Sequence, residues 1–261
     1  MEVIIRPTAE AASELSARLL ADAIIHNPRL VMGLATGGTM ENLYAILAKR
    51  IAEQNIDVSH LTTFNLDEYI GLSPEHPQSY RFYMERHLFS KIGIDRTRTH
   101  LPLGNAADPD AESARYEALI TSSGGIGLQL LGLGQIGHIG FNEPLSSLAS
   151  RTRAKALTPE TRKQNGQYFG GEENVPARAI TVGVGTILES KRCLMLVTGA
   201  AKADILAKAV EGPITSLISA SALQLHPRCT VIVDEAAASK LQHTEYYRWI
   251  FANEPEWQRY Q

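Results

Sequence analysis

An open, mostly parallel α/β sheet with helices on both faces is the fold class that this 261-residue sequence predicts. Three observations carry that expectation. Short apolar runs alternate with helical stretches along almost the whole chain, as strand–helix units with right-handed crossovers do. Most runs are apolar on consecutive residues, the pattern of strands covered on both sides. Glycine-rich or acidic turns follow several of them, at the carboxyl ends of strands where open α/β folds bind their ligands.

Taken in order, residues 3–5 (VII) form the first strand and lead into a helical stretch over 9–25. Residues 30–34 (LVMGL) form the second, and a helix over 41–53 follows the turn Thr36-Gly37-Gly38-Thr39. Residues 61–64 (LTTF) are the third and run into Asn65-Leu66-Asp67-Glu68-Tyr69. A helix over 111–122 precedes the fourth strand, 128–131 (LQLL). Residues 179–182 (AITV) and 193–197 (CLMLV) are next, then a helix over 201–210 and a last strand at 230–233 (TVIV). No repeat, low-complexity segment or Pro/Gly/Ser linker divides the chain, so one domain over 1–261 is expected. The piece 142–176 is polar and rich in Ser, Arg, Thr and Gly, which suggests a functional loop or lid. The aromatic ending Tyr246-Tyr247-Arg248-Trp249-Ile250-Phe251 is expected to pack, with a subunit-contact edge as the second reading.

Bulk properties exclude some partners. A hydrophobic fraction of 44% with 20% charged residues is ordinary for a globular protein, and a net charge of −3 offers no bulk attraction for nucleic acid or membrane. A small anionic substrate therefore needs a local positive site. Cys193 and Cys229 sit in apolar runs and read as buried strand residues in a reducing compartment, not as a disulfide or metal pair. No apolar run reaches the length of a membrane span, and the N-terminus lacks signal-peptide character, so a cytoplasmic protein is expected.

The richest segment is 128–144, LQLLGLGQIGHIGFNEP, where an apolar run breaks into glycines and then delivers His138 and Glu143 before Pro144. Histidine beside a carboxylate is the commonest device for moving a proton near neutral pH. Gly132, Gly134 and Gly137 also match a dinucleotide fingerprint in spacing. That fingerprint needs a helix at the third glycine and an acidic residue about 20 positions on, and Pro144 and the absence of such a residue argue against it. The Thr36-Gly37-Gly38-Thr39 turn offers free N–H groups at a helix N-terminus, which suits phosphate. It lacks the Lys of a nucleotide P-loop, and the bland alternative is an ordinary tight turn. Asp67 and Glu68 at a strand's carboxyl end form a candidate general base, against the alternative of a solvated loop. Lys202, just after CLMLV, can reach a phosphate at the sheet edge or stand exposed in a first helical turn. The histidines show no metal-ligand spacing, so no metal is expected.

Together these pieces resemble the glucosamine-6-phosphate deaminase (glucosamine-6-phosphate isomerase) family. The matching blocks are LATGGTMENLY, TTFNLDEYIGLSPEHPQSYRFYM, LGLGQIGHIGFNEPLSSLASRTRAKALT, VPARAITVGVGTILES, the GAAK turn with AVEG, and SALQLHP, in family order from Met1 to about Trp249. The resemblance implies a modified Rossmann-like fold. It implies conversion of glucosamine 6-phosphate and water to fructose 6-phosphate and ammonia, without a cofactor. Asp67 would move the proton from C2 to C1, and His138, oriented by Glu143, would assist opening of the pyranose ring. Thr36, Gly37, Gly38, Thr39 and Lys202 would hold the phosphate. Where relatives place an arginine for the same phosphate, this chain has Gln167, a neutral donor in place of a bidentate cation. Losing such a contact costs about 1.5–3 kcal/mol, or roughly ten- to hundredfold in affinity, unless Arg162 or Lys163 compensates.

A second departure is Ile136, where relatives carry Asp or Asn. The expected consequence is a changed pH optimum, lower turnover or altered sugar preference, unless water or Gln135 restores the hydrogen bonds. Hexameric bacterial relatives are activated by N-acetylglucosamine 6-phosphate between subunits. The resemblance puts Ser146, Arg153, Lys155 and Tyr247 in that pocket and implies a homo-oligomer. Three other readings stay open: another hexosamine phosphate such as galactosamine 6-phosphate, a 6-phosphogluconolactonase, and a catalytically impaired sugar-phosphate-binding protein or sensor. A lactonase would not need FNLDEY as a C2 base. A sensor of the repressor type would carry a helix-turn-helix ahead of a first strand that here begins near residue 3.

Overall fold

The computed structural model describes residues 1–261. Its strands are β1 (Glu2–Arg6), β2 (Val31–Leu34), β3 (Thr62–Asn65), β4 (Asp67–Tyr69), β5 (Thr99–His100), β6 (Leu128–Gly132), β7 (Arg153–Ala156), β8 (Arg178–Thr181), β9 (Cys193–Val197) and β10 (Cys229–Asp234). Seven of them form one sheet in the order β1-β10-β9-β6-β2-β3-β5. Every neighbouring pair in it is parallel. The Rossmann-like expectation therefore holds. All carboxyl ends lie along one edge, so the residues that follow β2, β3, β6 and β9 are brought together.

The central strands are apolar because both faces are covered. All of β9 and β10 is buried, and Leu130, Leu131, Val231, Ile232 and Val233 are fully enclosed. Helix α1 (Ala9–His26) starts where the Thr8 hydroxyl accepts the Ala11 N–H at 3.1 Å. One face of α1 buries Leu15, Leu19, Leu20 and Ile24 against α2 (Gly38–Glu53) and the sheet. Burial of each such side chain contributes about 1.5–3 kcal/mol. Cys193 and Cys229 are buried free thiols on neighbouring strands, where burial pushes Cys193 up to about 11. No helix is long and apolar enough to cross a membrane.

Two expectations are corrected. Residues 179–182 are strand-like, but β8 does not join the parallel sheet. It pairs antiparallel with β4 on one side and β7 on the other, as a separate three-stranded sheet. Only Leu66 separates β3 from β4, so the chain steps directly from the large sheet to the small one at Asp67. The segment 142–176 is not an irregular loop. It contains β7 and an 11-residue helix, Pro159–Phe169, capped by Thr158 and closed by Gly170 in the left-handed region. The C-terminal aromatics divide in role: Tyr247 and Phe251 pack on the core, whereas Tyr246 and Trp249 stack on each other and are exposed.

Candidate active site

The carboxyl edge opens into a polar cavity of about 260 Å³. Its lining includes Thr36, Gly37, Gly38 and Thr39 after β2, Asp67 after β3, His138 in the loop after β6 and Lys202 after β9. Four segments scattered over the sequence thus meet at one place.

Asp67 opens β4, where its backbone is committed to the small sheet opposite Thr181 and its side chain is only 6% exposed. Removal from water pushes its carboxyl up to about 8; neighbouring Glu68 adds to the rise and the Phe141 N–H pulls the other way. Glu68 faces elsewhere. It accepts the backbone N–H groups of Tyr69, Tyr80 and Arg81 at 2.9, 2.9 and 3.0 Å and so pins the start of the helical stretch Tyr80–Met84. Burial raises it to about 7 despite those bonds. Of the adjacent pair, Asp67 faces the cavity and Glu68 is structural.

The loop after β6 depends on missing Cβ atoms. A Cβ on Gly134 would overlap the His138 imidazole, which lies across that glycine. Gly140, at φ +55°, lets its backbone pass within reach of Asp67: a Cβ there would sit 3.3 Å from Asp67 Oδ2. Asn142 anchors the loop by donating to Ile139 O at 2.8 Å and Val182 O at 2.9 Å, while Arg153 Nη1 donates to its Oδ1 at 2.9 Å. Glu143 stands behind His138 and does not line the cavity. Its Oε2 lies 3.5 Å from His138 Nδ1, an ion-pair distance too long for a full hydrogen bond. Burial alone would raise the Glu143 carboxyl, but His138, Thr161 and Thr158 together outweigh it and hold the group low and ionised. Glu143 is therefore a fixed anion facing the inner nitrogen of His138.

Gly37 (φ +117°) is the unassisted N-cap of α2 and leaves its first N–H groups directed outward. Across the cavity, burial lowers the Lys202 ammonium to about 8, with no carboxylate offsetting it. An unpaired, half-buried cation opposite a helix N-terminus suits a phosphate. No three His, Cys, Asp or Glu side chains converge in a way that could hold a metal ion.

Gln167 requires correction. It is exposed, its amide donates to Gln164 O at 3.1 Å, and it does not line the cavity. On the Pro159–Phe169 helix it lies one turn on from Gln164, at the edge of the face from which Thr161, Gln164 and Asn165 line the cavity. Ile136 is half-buried and does not line the cavity either, whereas its neighbour Gln135 does. Sequence reasoning missed Thr161, Gln164, Asn165 and Tyr80. For the first three the signal was available in Thr158-Pro159-Glu160, a cap, a first-turn proline and a first-turn acid, followed by polar residues at helical spacing. Tyr80 stacks on Phe141 at 6.0 Å and 15° and shapes the cavity wall.

The residues of the expected regulatory pocket are split. Ser146 is buried with an unpartnered hydroxyl, close in sequence to Asn142, which Arg153 holds. Lys155 follows on β7. Tyr247 lies on the helix Thr244–Asn253 beside β1, where its hydroxyl donates to Glu211 at 2.9 Å.

Comparison with known proteins places this geometry. The family model described as glucosamine-6-phosphate isomerases/6-phosphogluconolactonase matches residues 6–231. A glucosamine-6-phosphate deaminase from Hahella chejuensis is 51% identical over 96% of this chain and 95% of its own. One from Streptomyces coelicolor is 48% identical over 99% of each. A solved structure described as a monomeric glucosamine-6-phosphate deaminase superposes with a TM-score of 0.90 at 46% identity, covering 92% of this chain and all of its own. A 6-phosphogluconolactonase from Trypanosoma cruzi, 18% identical with a TM-score of 0.74, shares the fold.

Proposed function

Since the chain belongs to the glucosamine-6-phosphate isomerase/6-phosphogluconolactonase family, we propose that it is a glucosamine-6-phosphate deaminase working by acid–base catalysis. The observation that carries this reading is the meeting of Asp67 and His138 in one cavity with the Thr36–Thr39 turn and Lys202. A lactonase needs no base that serves two adjacent carbons, and a buried carboxylate raised to about 8 fits a proton shuttle.

The sugar's phosphate docks against the N-terminus of α2 and the Lys202 ammonium. His138 passes a proton between the ring oxygen and the anomeric hydroxyl, and the ionised Glu143 behind it stabilises the imidazolium. In the open-chain aldehyde the C2–H is acidified by the adjacent carbonyl. Asp67 removes that proton and returns it to C1 while one proton of the substrate ammonium passes to O1, leaving an iminium at C2 and a hydroxymethyl group at C1. Water adds to the iminium and ammonia leaves, giving fructose 6-phosphate; the atoms balance with one water consumed. A protonated substrate amine near Asp67 lowers its pKa and readies it as a base. No step calls on a cofactor. We treat the whole chain as one sugar-phosphate domain of a cytoplasmic enzyme, with 142–176 as a lid over substrate.

Regulation by N-acetylglucosamine 6-phosphate through Ser146, Arg153, Lys155 and Tyr247 is part of the same reading. The unpartnered Ser146 hydroxyl and Arg153 Nη2 support it, being buried polar atoms with no hydrogen-bond partner within the chain. Tyr247's placement beside β1 would require a second subunit to complete the pocket, hence the homo-oligomer, hexameric by resemblance. The testing experiment is ammonia release coupled to fructose 6-phosphate formation, from glucosamine and galactosamine 6-phosphates, with and without the acetylated sugar. Light scattering of the same sample gives its oligomeric state. Turnover of neither sugar phosphate by folded protein would reject the assignment. A half-saturation unmoved by the acetylated sugar would reject the regulatory part alone.

A further inference from the structure

The inner face of the Pro159–Phe169 helix carries one more side chain that the family pattern does not foresee. Thr161, Gln164 and Asn165 line the catalytic cavity, and the same face continues one turn on to Tyr168, at i+4 from Gln164. Tyr168 lines an adjoining cavity of about 360 Å³ that shares Gly37, Gly38, Tyr80, Gln164 and Asn165 with the first. Its hydroxyl is 3.7 Å from where a Cβ on Gly38 would lie, so it stands directly beside the N-terminus of α2.

The phenol is 47% exposed and has no hydrogen-bond partner of its own, unlike Tyr83, whose hydroxyl is spent on Gly37 O at 2.9 Å. Arg86 and His87 accompany Glu41 in the outer cavity, so the place for the anion is set by the turn at the start of α2, which faces the catalytic cavity together with Lys202. Asn165, one turn back, is already committed to Tyr69 Oη at 2.9 Å. A free O–H donor at a helix N-terminus, opposite the half-buried Lys202 ammonium, completes a ring of donors around a phosphate-sized anion.

We propose that Tyr168, rather than Gln167, is the side chain of this helix that contacts the substrate's phosphate. It thereby sets the preference for a phosphorylated sugar. The inference rests on the deaminase reading for its substrate but not for its binding prediction. The tyrosine donates one hydrogen bond where an arginine would give two charged ones, so its share of affinity is about tenfold.

The test is Tyr168→Phe, which keeps the ring and removes only the donor. Steady-state kinetics with glucosamine 6-phosphate are measured beside calorimetric binding of glucose 6-phosphate, which has no amine to lose. The expected result is a KM about tenfold higher, kcat within about twofold, and a matching loss of affinity for glucose 6-phosphate. KM and glucose 6-phosphate affinity both within twofold of wild type would overturn the inference while wild-type turnover keeps the deaminase reading. Wild type that binds glucose 6-phosphate without deaminating glucosamine 6-phosphate would sink the deaminase reading, and the binding comparison would still decide Tyr168. A fall in kcat with unchanged affinity also counts against it, as the mark of a merely structural role.

Discussion

Replacing Asp67 with Asn removes the proposed base and, on the same physical account, stabilises the fold. The folded carboxyl stands at about 8 against an ordinary 3.8, chiefly because burial strips it of water. At pH 4 the folded carboxyl is protonated and the unfolded one a little over half ionised, so the difference is still only about 0.5 kcal/mol. As pH rises the unfolded carboxyl ionises near 3.8 while the folded one holds its proton to about 8, so stability falls across that window. The shift is roughly 4 units at 1.36 kcal/mol each, an upper bound of about 6 kcal/mol. The residue keeps 6% of its surface accessible, and Glu68 beside it also rises to about 7, which shares the penalty. About 1–3 kcal/mol remains, or roughly 2–10 °C in Tm for a chain of this size. Asp67→Asn should therefore come within about 2 °C of wild type in Tm near pH 4 and exceed it by the full margin at pH 8.5. Its deaminase turnover should fall by about 10²–10⁴. Calorimetric scans at the two pH values with ammonia release decide it. A Tm difference independent of pH, or a variant less stable at pH 8.5, would falsify the desolvation account of Asp67 whatever happened to activity.

Other consequences follow from the same geometry. In the free enzyme Asp67 must lose its proton and Lys202 must keep its own, both near pH 8. The profile of kcat/KM should thus be a narrow bell centred close to 8, and Lys202→Met should abolish its alkaline limb while raising KM roughly ten- to hundredfold. Gly134→Ala drives a methyl into the His138 imidazole, so kcat should drop at least tenfold for a stability cost of about 1–3 kcal/mol, seen by comparing turnover with Tm. Glu143→Gln deprives a protonated His138 of its buried counter-charge; kcat should fall with KM little changed, and a rise in KM alone would argue that Glu143 holds the start of the Pro159–Phe169 helix through Thr158 instead. Gln167→Ala should leave KM within about twofold, because that amide faces solvent.

Much of the fold was legible because a parallel sheet covered on both faces writes consecutive apolar residues into its strands. The runs that became β1, β2, β3, β6, β9 and β10 could hardly be anything else. AITV reads the same way, and nothing local distinguishes a strand that joins seven parallel neighbours from one that pairs antiparallel with Asp67–Tyr69. That choice is made in part by β4, more than a hundred residues away. The Pro159–Phe169 helix was hidden for a different reason: its inner face lines a wet cavity, so Thr161, Gln164 and Asn165 stand where an apolar stripe would have revealed a helix.

The candidate site divides along the same line. Residue types alone determined that this chain holds a histidine–glutamate pair, a strand-end carboxylate, a phosphate-ready turn and a lysine, because each is a short-range pattern with its own chemistry. Only the tertiary structure decided that Asp67 rather than Glu68 faces the cavity, that Glu143 stands behind His138, and that Tyr168 rather than Gln167 reaches the turn at α2. Those are questions of which way a side chain points and how much water it keeps. Both depend on the packing of segments distant in the chain, which no single stretch of sequence contains.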